Sequence, residues 1–258
     1  MTSTKRPVVI IGNWKMYKTI AEAESYVREL LIQAQPTNSP IYLAVPFTTI
    51  KPLADICEGT PIVLGAQNMH DADAGAFTGE IAGRMLKEAG AKFVILGHSE
   101  RRHLFHESNE FINRKIKRAL SEGIQPLLCV GESSSERDQK ETRNILQKQI
   151  SECLKGINTQ EVENLMLAYE PVWAIGSTTA ASIPVIQEAH GFCRDILEKV
   201  LGPEVAAKIA ILYGGSVTVQ NAQILIEQAE VDGLLVGGAS LTVETFGKIV
   251  NYNAANHP

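Results

Sequence analysis

Residues 165–181 read Leu-Met-Leu-Ala-Tyr-Glu-Pro-Val-Trp-Ala-Ile-Gly-Ser-Thr-Thr-Ala-Ala, and they carry a carboxylate out of a strand into a loop. The apolar run from Leu165 to Tyr169 stops abruptly at Glu170-Pro171. Pro171 fixes its own φ and biases Glu170 toward extended backbone, so the side chain leaves the strand in a defined direction. Pro171 also has no N–H to donate to that carboxylate, and a carboxylate with fewer donors is a stronger base. The next four residues, Val172, Trp173, Ala174 and Ile175, are apolar in a loop and need a surface to fold onto, as the underside of a lid would. Taken alone, a Glu-Pro pair is better read as a solvated glutamate at the end of a strand. The other strand ends decide between the two.

Outward from this stretch, short apolar runs alternate with windows of helical periodicity, the βα rhythm of a parallel sheet. Eight runs predict strands at 8–11, 41–45, 62–66, 93–96, 126–130, 165–169, 209–213 and 233–236. Each is followed by a helical stretch. The clearest spans 20–34, where Thr19 and Glu22 form a capping-box start and Tyr26, Leu30 and Ile32 supply an apolar face. Further helices are predicted near 81–89, 110–121, 137–154, 185–200, 222–227 and 243–250. An open doubly wound sheet would give the same alternation. The count of eight, and the lack of Gly-x-Gly-x-x-Gly after the first strand, favour a closed eight-stranded parallel (β/α)8 barrel. No linker or low-complexity tract divides the chain, so residues 1–258 are expected to form a single domain, fraying near 1–5 and 253–258.

A chain of 258 residues, 45% hydrophobic, suits one barrel of roughly 250 residues. A formal charge of −5 without a Lys/Arg block argues against nucleic acid and membrane surfaces as partners. The N-terminal apolar run is too short for a signal peptide or a membrane span, so the expected location is cytoplasmic. Cys57, Cys129, Cys153 and Cys193 are scattered without metal spacing and read as reduced, mostly buried thiols.

In such a barrel the residues following each strand gather at one face, where active sites form. The first strand runs into Gly12-Asn13-Trp14-Lys15-Met16, and a lysine there meets an anion or a developing negative charge. Elsewhere a lone lysine is more often solvated. The fourth runs into Gly97-His98-Ser99-Glu100-Arg101-Arg102. His98 opens a polar turn whose N–H groups would disfavour its protonated form, and Glu100 either pairs with Lys15 or faces solvent. His103 and His106 have helical metal spacing but no third ligand, so no metal is expected. Cys129, at the end of the fifth strand, lacks a base and an oxyanion hole and reads as packing. Glycine pairs follow the seventh strand (Gly214-Gly215-Ser216) and the eighth (Gly237-Gly238), the position where barrels bind phosphate through exposed N–H groups.

Gly-Asn-Trp-Lys-Met at 12–16, Gly-His-Ser-Glu-Arg-Arg at 97–102, Ala-Tyr-Glu-Pro-Val-Trp-Ala-Ile-Gly at 168–176, Tyr-Gly-Gly-Ser at 213–216 and Leu-Val-Gly-Gly-Ala-Ser-Leu at 235–241 together resemble the triosephosphate isomerase family. Gly-Ala-Gln-Asn at 65–68 and Gly-Ala-Phe-Thr-Gly-Glu at 75–80 resemble its third loop, so the likeness runs through essentially the whole chain. The resemblance implies interconversion of dihydroxyacetone phosphate and glyceraldehyde 3-phosphate, in glycolysis and gluconeogenesis, by a cofactor-free homodimer. It implies that Glu170 moves the proton, His98 polarises the carbonyl and Lys15 steadies the enediolate and phosphate. Asn13 would bond near the reacting oxygens, and N–H groups of Gly176, Ser216, Gly237 and Gly238 would hold the phosphate. The loop that begins at Gln67 and closes at Gly79 would dock into the second subunit, with Thr78 supporting the partner's Asn13 and Lys15 region. Glu100 and Cys129 would have supporting places.

Two other classes fit parts of the pattern: a lyase using Lys15 as a Schiff base, and a non-catalytic phosphate-binding barrel. The chain departs from the pattern of the family it resembles after Gly176, where Ser177-Thr178-Thr179-Ala180-Ala181 stands in place of Thr-Gly-Lys-Thr-Ala. Two β-branched residues in place of Gly-Lys predict a stiffer lid hinge.

Overall fold

In the computed structural model, the described residues are 6–33, 40–160, 162–176 and 180–252. The lid hinge at 177–179 and the two ends, 1–5 and 253–258, lie outside them. Eight strands, β1 (Val9–Asn13), β2 (Ile41–Val45), β3 (Ile62–Ala66), β4 (Phe93–Leu96), β5 (Gln125–Val130), β6 (Met166–Tyr169), β7 (Ala210–Tyr213) and β8 (Gly233–Val236), close into one barrel in sequence order. Every neighbouring pair is parallel, and β1 closes the ring on β8 with Ile11 opposite Leu235. The expected closed barrel is therefore the observed one.

Side chains along a strand point alternately to its two faces, which divides the apolar residues into two layers. Val9, Ile11, Phe93, Ile95, Leu127, Cys129, Met166, Ala168, Leu212 and Leu235 pack in one cluster, which fills the barrel. Their neighbours Ile10, Val94, Leu96, Leu128, Leu167 and Leu234 belong to the larger cluster beneath the helices.

Two short helices, Ser99–Leu104 after β4 and Pro203–Ala206 before β7, add to those the periodicity predicts, and three further differences follow. Phe47–Cys57 is helical although its periodicity is interrupted by Pro52, which the burial of Thr49, Ile50, Leu53 and Cys57 outweighs. The single helix expected at 137–154 is two, Ser134–Asp138 and Thr142–Cys153. Between them Lys140 has φ 62°, a left-handed conformation that ends a helix. Helix Ile20–Gln33 has its expected start, with Thr19 N–H donating to Glu22 Oε2 at 2.7 Å. Its buried stripe, however, is Ala23, Tyr26, Val27 and Leu30, while Ile32 is 84% exposed. At 100° per residue Ile32 lies two positions, and so some 200°, beyond Leu30.

Candidate active site

The backbone ladder carries Glu170 one residue past β6. Its N–H donates to Val130 O at 2.7 Å, and Gly214 N–H donates to Tyr169 O at 2.8 Å. Neighbouring loops must come close for this to happen. A Cβ on Gly131 would lie 1.7 Å from Glu170 O, and one on Gly214 would lie 2.9 Å from Glu170 Cγ. Glycines one residue past the two flanking strands thus make room for Glu170, Gly131 for its backbone and Gly214 for its side chain.

The side chain of Glu170 is 2% exposed and crosses the mouth of the barrel. Oε1 lies 3.0 Å from His98 Nε2, and Oε2 accepts from Ser99 N–H at 2.9 Å. This corrects the sequence argument that the carboxylate lacks donors. Pro171 withholds one, but the turn after β4, remote in sequence, supplies another. His98 is held from its other side, because Nδ1 accepts from Glu100 N–H at 3.3 Å. With Nδ1 accepting, the neutral ring carries its proton on Nε2 and presents it to Glu170. Burial opposes the imidazolium, but the charge and hydrogen bond of Glu170, aided by Glu100, outweigh it and raise the His98 pKa. That direction is opposite to the one read from the turn's N–H groups, since a carboxylate in contact outweighs the dipoles of one short turn.

Lys15 stands in a left-handed conformation, φ 51°, with its N–H donating to Asn13 Oδ1 at 3.0 Å. Its Nζ pairs with Glu100 Oε1 at 2.5 Å, so Glu100 takes the first of its two expected places. Gln67, just past β3, donates to Lys15 O at 2.8 Å and Ala44 O at 3.1 Å, and to Asn13 Oδ1 at 3.4 Å. A Cβ on Gly237 would meet Lys15 Cε at 3.5 Å, which places the loop after β8 directly beside the lysine. Gly176 and Ser216 follow β6 and β7 at the same end of the barrel, and a Cβ built on Gly176 or Gly238 would meet no neighbour.

Trp173 lies in the short 3-10 turn Val172–Ala174 and donates from Nε1 to Glu132 Oε1 at 3.1 Å, where Tyr169 OH also donates. Ala174 is fully buried, and the Arg137 guanidinium lies 4.7 Å from the Trp173 ring. The apolar loop therefore folds down as expected. Cys129 is fully buried; desolvation first, and the Glu170 charge second, push its thiol well above the usual range. That suits packing beneath the carboxylate and not nucleophilic attack. Thr78 is exposed in the loop 67–79.

The structure thus brings Asn13, Lys15, His98, Glu100, Glu170 and Gly237 together. Sequence reasoning missed Gln67, Ser99, Glu132, Gly131 and Gly214 as positioning groups. Their one common signal was position at or just after a strand end. No cluster of His, Cys, Asp and Glu with metal-binding geometry occurs among the described residues. Among them, no helix is long and apolar enough to cross a membrane.

Fold and site define a (β/α)8 barrel that sets a carboxylate–imidazole pair and a lysine at the C-terminal ends of its strands. The family model for triosephosphate isomerase matches residues 8–253. Triosephosphate isomerase of Protochlamydia amoebophila is 53% identical over 251 residues, covering 97% of this chain and 95% of that protein. The enzyme of that name from Carboxydothermus hydrogenoformans is 47% identical, covering 95% and 98%. The crystal structure of triosephosphate isomerase from Bartonella henselae superposes with a TM-score of 0.86 at 36% identity, covering 96% of this chain and 99% of that one. The chain belongs to the triosephosphate isomerase family.

Proposed function

We propose that this chain interconverts dihydroxyacetone phosphate and D-glyceraldehyde 3-phosphate by proton transfer through an enediolate, as an intramolecular aldose–ketose isomerase. The observation that carries the assignment of roles is the convergence of Glu170, His98 and Lys15 on one mouth of the barrel, with Nε2 of His98 at 3.0 Å from the carboxylate. Glu170 removes a proton from the carbon beside the carbonyl and returns it to the neighbouring carbon. Its present contacts with His98 and Ser99 must be released as it turns to the substrate. Release also removes the carboxylate that raises the His98 pKa, and the Glu100 N–H keeps Nδ1 as the acceptor. Neutral His98 then donates from Nε2 to the oxygen on which negative charge develops.

Lys15 supplies a fixed cation to the developing oxyanion and to the phosphate, with Asn13 beside it. The N–H groups of Gly176, Ser216, Gly237 and Gly238 hold the phosphate. Binding of this non-reacting group provides the energy that closes the lid and aligns the carbonyl with Glu170. Closure excludes water from an enediolate that could otherwise lose its phosphate. The chemistry needs neither metal nor cofactor.

The active form is a homodimer. A cleft of about 250 Å³ opens beside Lys15 between Asn13, Met16, Phe47, Gln67 and Phe105. Met16 is 95% exposed and Phe105 63%. These features suit burial under the loop 67–79 of a second copy, which would bring Thr78 near Asn13 and Lys15.

A coupled assay on the purified protein, with Glu170→Gln as the control, tests the reading. The variant keeps the side chain's size and loses the base, so turnover should fall by roughly three orders of magnitude or more, with the Kd for inorganic phosphate within about twofold. Retention of most of the turnover would remove Glu170 from its role. A Schiff-base lyase remains the second reading, and borohydride with substrate separates them. Covalent trapping on Lys15 would favour the lyase, although Lys15 Nζ is held against Glu100 Oε1 at 2.5 Å.

A further inference from the structure

Lys18 touches none of the groups assigned above, yet it joins the two loops that carry them. It is left-handed, φ 78°, three residues after the left-handed Lys15. Its Nζ lies 4.4 Å from the Tyr26 ring centre and 5.2 Å from that of Trp14, two rings packed edge to face. The same Nζ donates to Leu241 O at 2.8 Å, just past the turn Gly238–Ser240. Tyr26 OH reaches the same turn by donating to Ser240 O at 2.7 Å. Ser240 Oγ, in turn, donates to Gly237 O at 2.7 Å and lies 3.3 Å from Asn13 O.

We propose that Lys18 is a positioning residue, whose ammonium clasps the loop after β1 to the loop after β8 and so fixes Lys15 against Gly237 at the spacing the phosphate group requires. The proposal rests on the reading that Lys15, Gly237 and Gly238 hold that phosphate. The loops meet from opposite ends of the chain, close enough that a Cβ added at Gly237 would touch Lys15 Cε at 3.5 Å. A half-buried cation set against two aromatic faces and a carbonyl interacts with them more strongly than a fully exposed lysine would. Desolvation lowers the Lys18 pKa, against the pull of nearby Glu22, in keeping with that environment. Strained backbone at Lys15 and Lys18 persists only where surrounding contacts over-determine it, and the clasp supplies such contacts.

The test separates this proposal from the reading beneath it. In the wild type, inorganic phosphate should inhibit competitively, and Lys15→Met should weaken that inhibition. If phosphate does not inhibit, or Lys15→Met leaves its Ki unchanged, the phosphate reading fails and the clasp fails with it. Given that control, Lys18→Met keeps the apolar stem and removes the charge. KM for the triose phosphate and Ki for phosphate should both rise roughly tenfold while kcat stays within about threefold, and Lys18→Arg should restore both. A Lys18→Met protein with altered Tm but unchanged KM and Ki would overturn the proposal, because a purely structural lysine predicts that result. Should Lys18→Met not fold, Tyr26→Phe decides: it removes only the hydroxyl that holds Ser240. A rise of about threefold in Ki supports the clasp, and an unchanged Ki overturns it.

Discussion

Gly131 and His190 show how a single position acts through what surrounds it. The backbone of Glu170 passes so close to Gly131 that a methyl group there must displace it. On the proposed role of Glu170, a shift of about 1 Å there costs on the order of a hundredfold in rate. Gly131→Ala should therefore lower kcat by roughly 10- to 100-fold with little change in KM, measured by steady-state kinetics. His190 lies fully buried, its Nδ1 donating to Glu230 O at 2.8 Å and its Nε2 without a partner among the described residues. Desolvation first, with the neighbouring Arg194 charge, lowers its pKa to about 4 against the contrary pull of the Glu230 carbonyl and Asp232. The unfolded chain, with an ordinary histidine near 6.5, binds the proton more readily. The stability contributed is thus fully present above about pH 6.5 and is lost as pH falls toward about 4, at most about 3 kcal/mol. Urea melts between pH 7 and 4.5 should show a shallower loss in His190→Gln than in the wild type.

At the scale of an element, helix Asn109–Glu122 carries a lysine where its apolar stripe faces the protein. Lys115 is 1% exposed, and its Nζ donates to Glu107 Oε1 at 2.6 Å and to Asn68 Oδ1 at 2.9 Å. Arg101, on the helix after β4, shares the same oxygen at 2.7 Å. The pair therefore pins the start of the loop 67–79 to the turn that precedes this helix. Removing Glu107 leaves the Lys115 ammonium buried without its counter-charge, a change that typically costs about 3–5 kcal/mol. Glu107→Leu should lower the urea midpoint accordingly. Glu107→Leu combined with Lys115→Met should recover most of the loss, because the cation that then lacks its partner, Arg101, is 24% exposed and reaches solvent. Both are compared at one protein concentration, since association contributes to apparent stability.

For the whole molecule, the consequential surface is the one around Lys15 and the loop 67–79. Met16, Phe77, Met85, Leu104 and Phe105 are large apolar side chains left 46% to 95% exposed. Exposed apolar side chains of this size invite burial against a partner. Replacing Phe77 with Asp should shift the protein to monomers in sedimentation and lower kcat by at least about tenfold, because a preorganised lysine loses its support. A fully active monomer would remove the requirement for a second copy.

The sequence by itself determined the rhythm of eight βα units, the end of each strand to within about two residues, and the identity of the groups at those ends. Strand alternation and short apolar runs are local properties, so they are legible residue by residue. The resemblance in motifs extended this reading to particular roles for Glu170, His98 and Lys15. Only tertiary structure decided the rest. It showed that Glu170 gains a donor from Ser99 across the barrel, that the imidazole pKa rises and does not fall, and that Glu100 faces Lys15. It revealed Gln67 and Glu132 as braces, set Lys18 against the turn after β8, and sent Lys115 into the interior with Glu107. Each of these depends on distance between groups far apart in the chain. Electrostatic and hydrogen-bond energies change steeply over one or two ångströms, and the order of residues alone does not fix that separation.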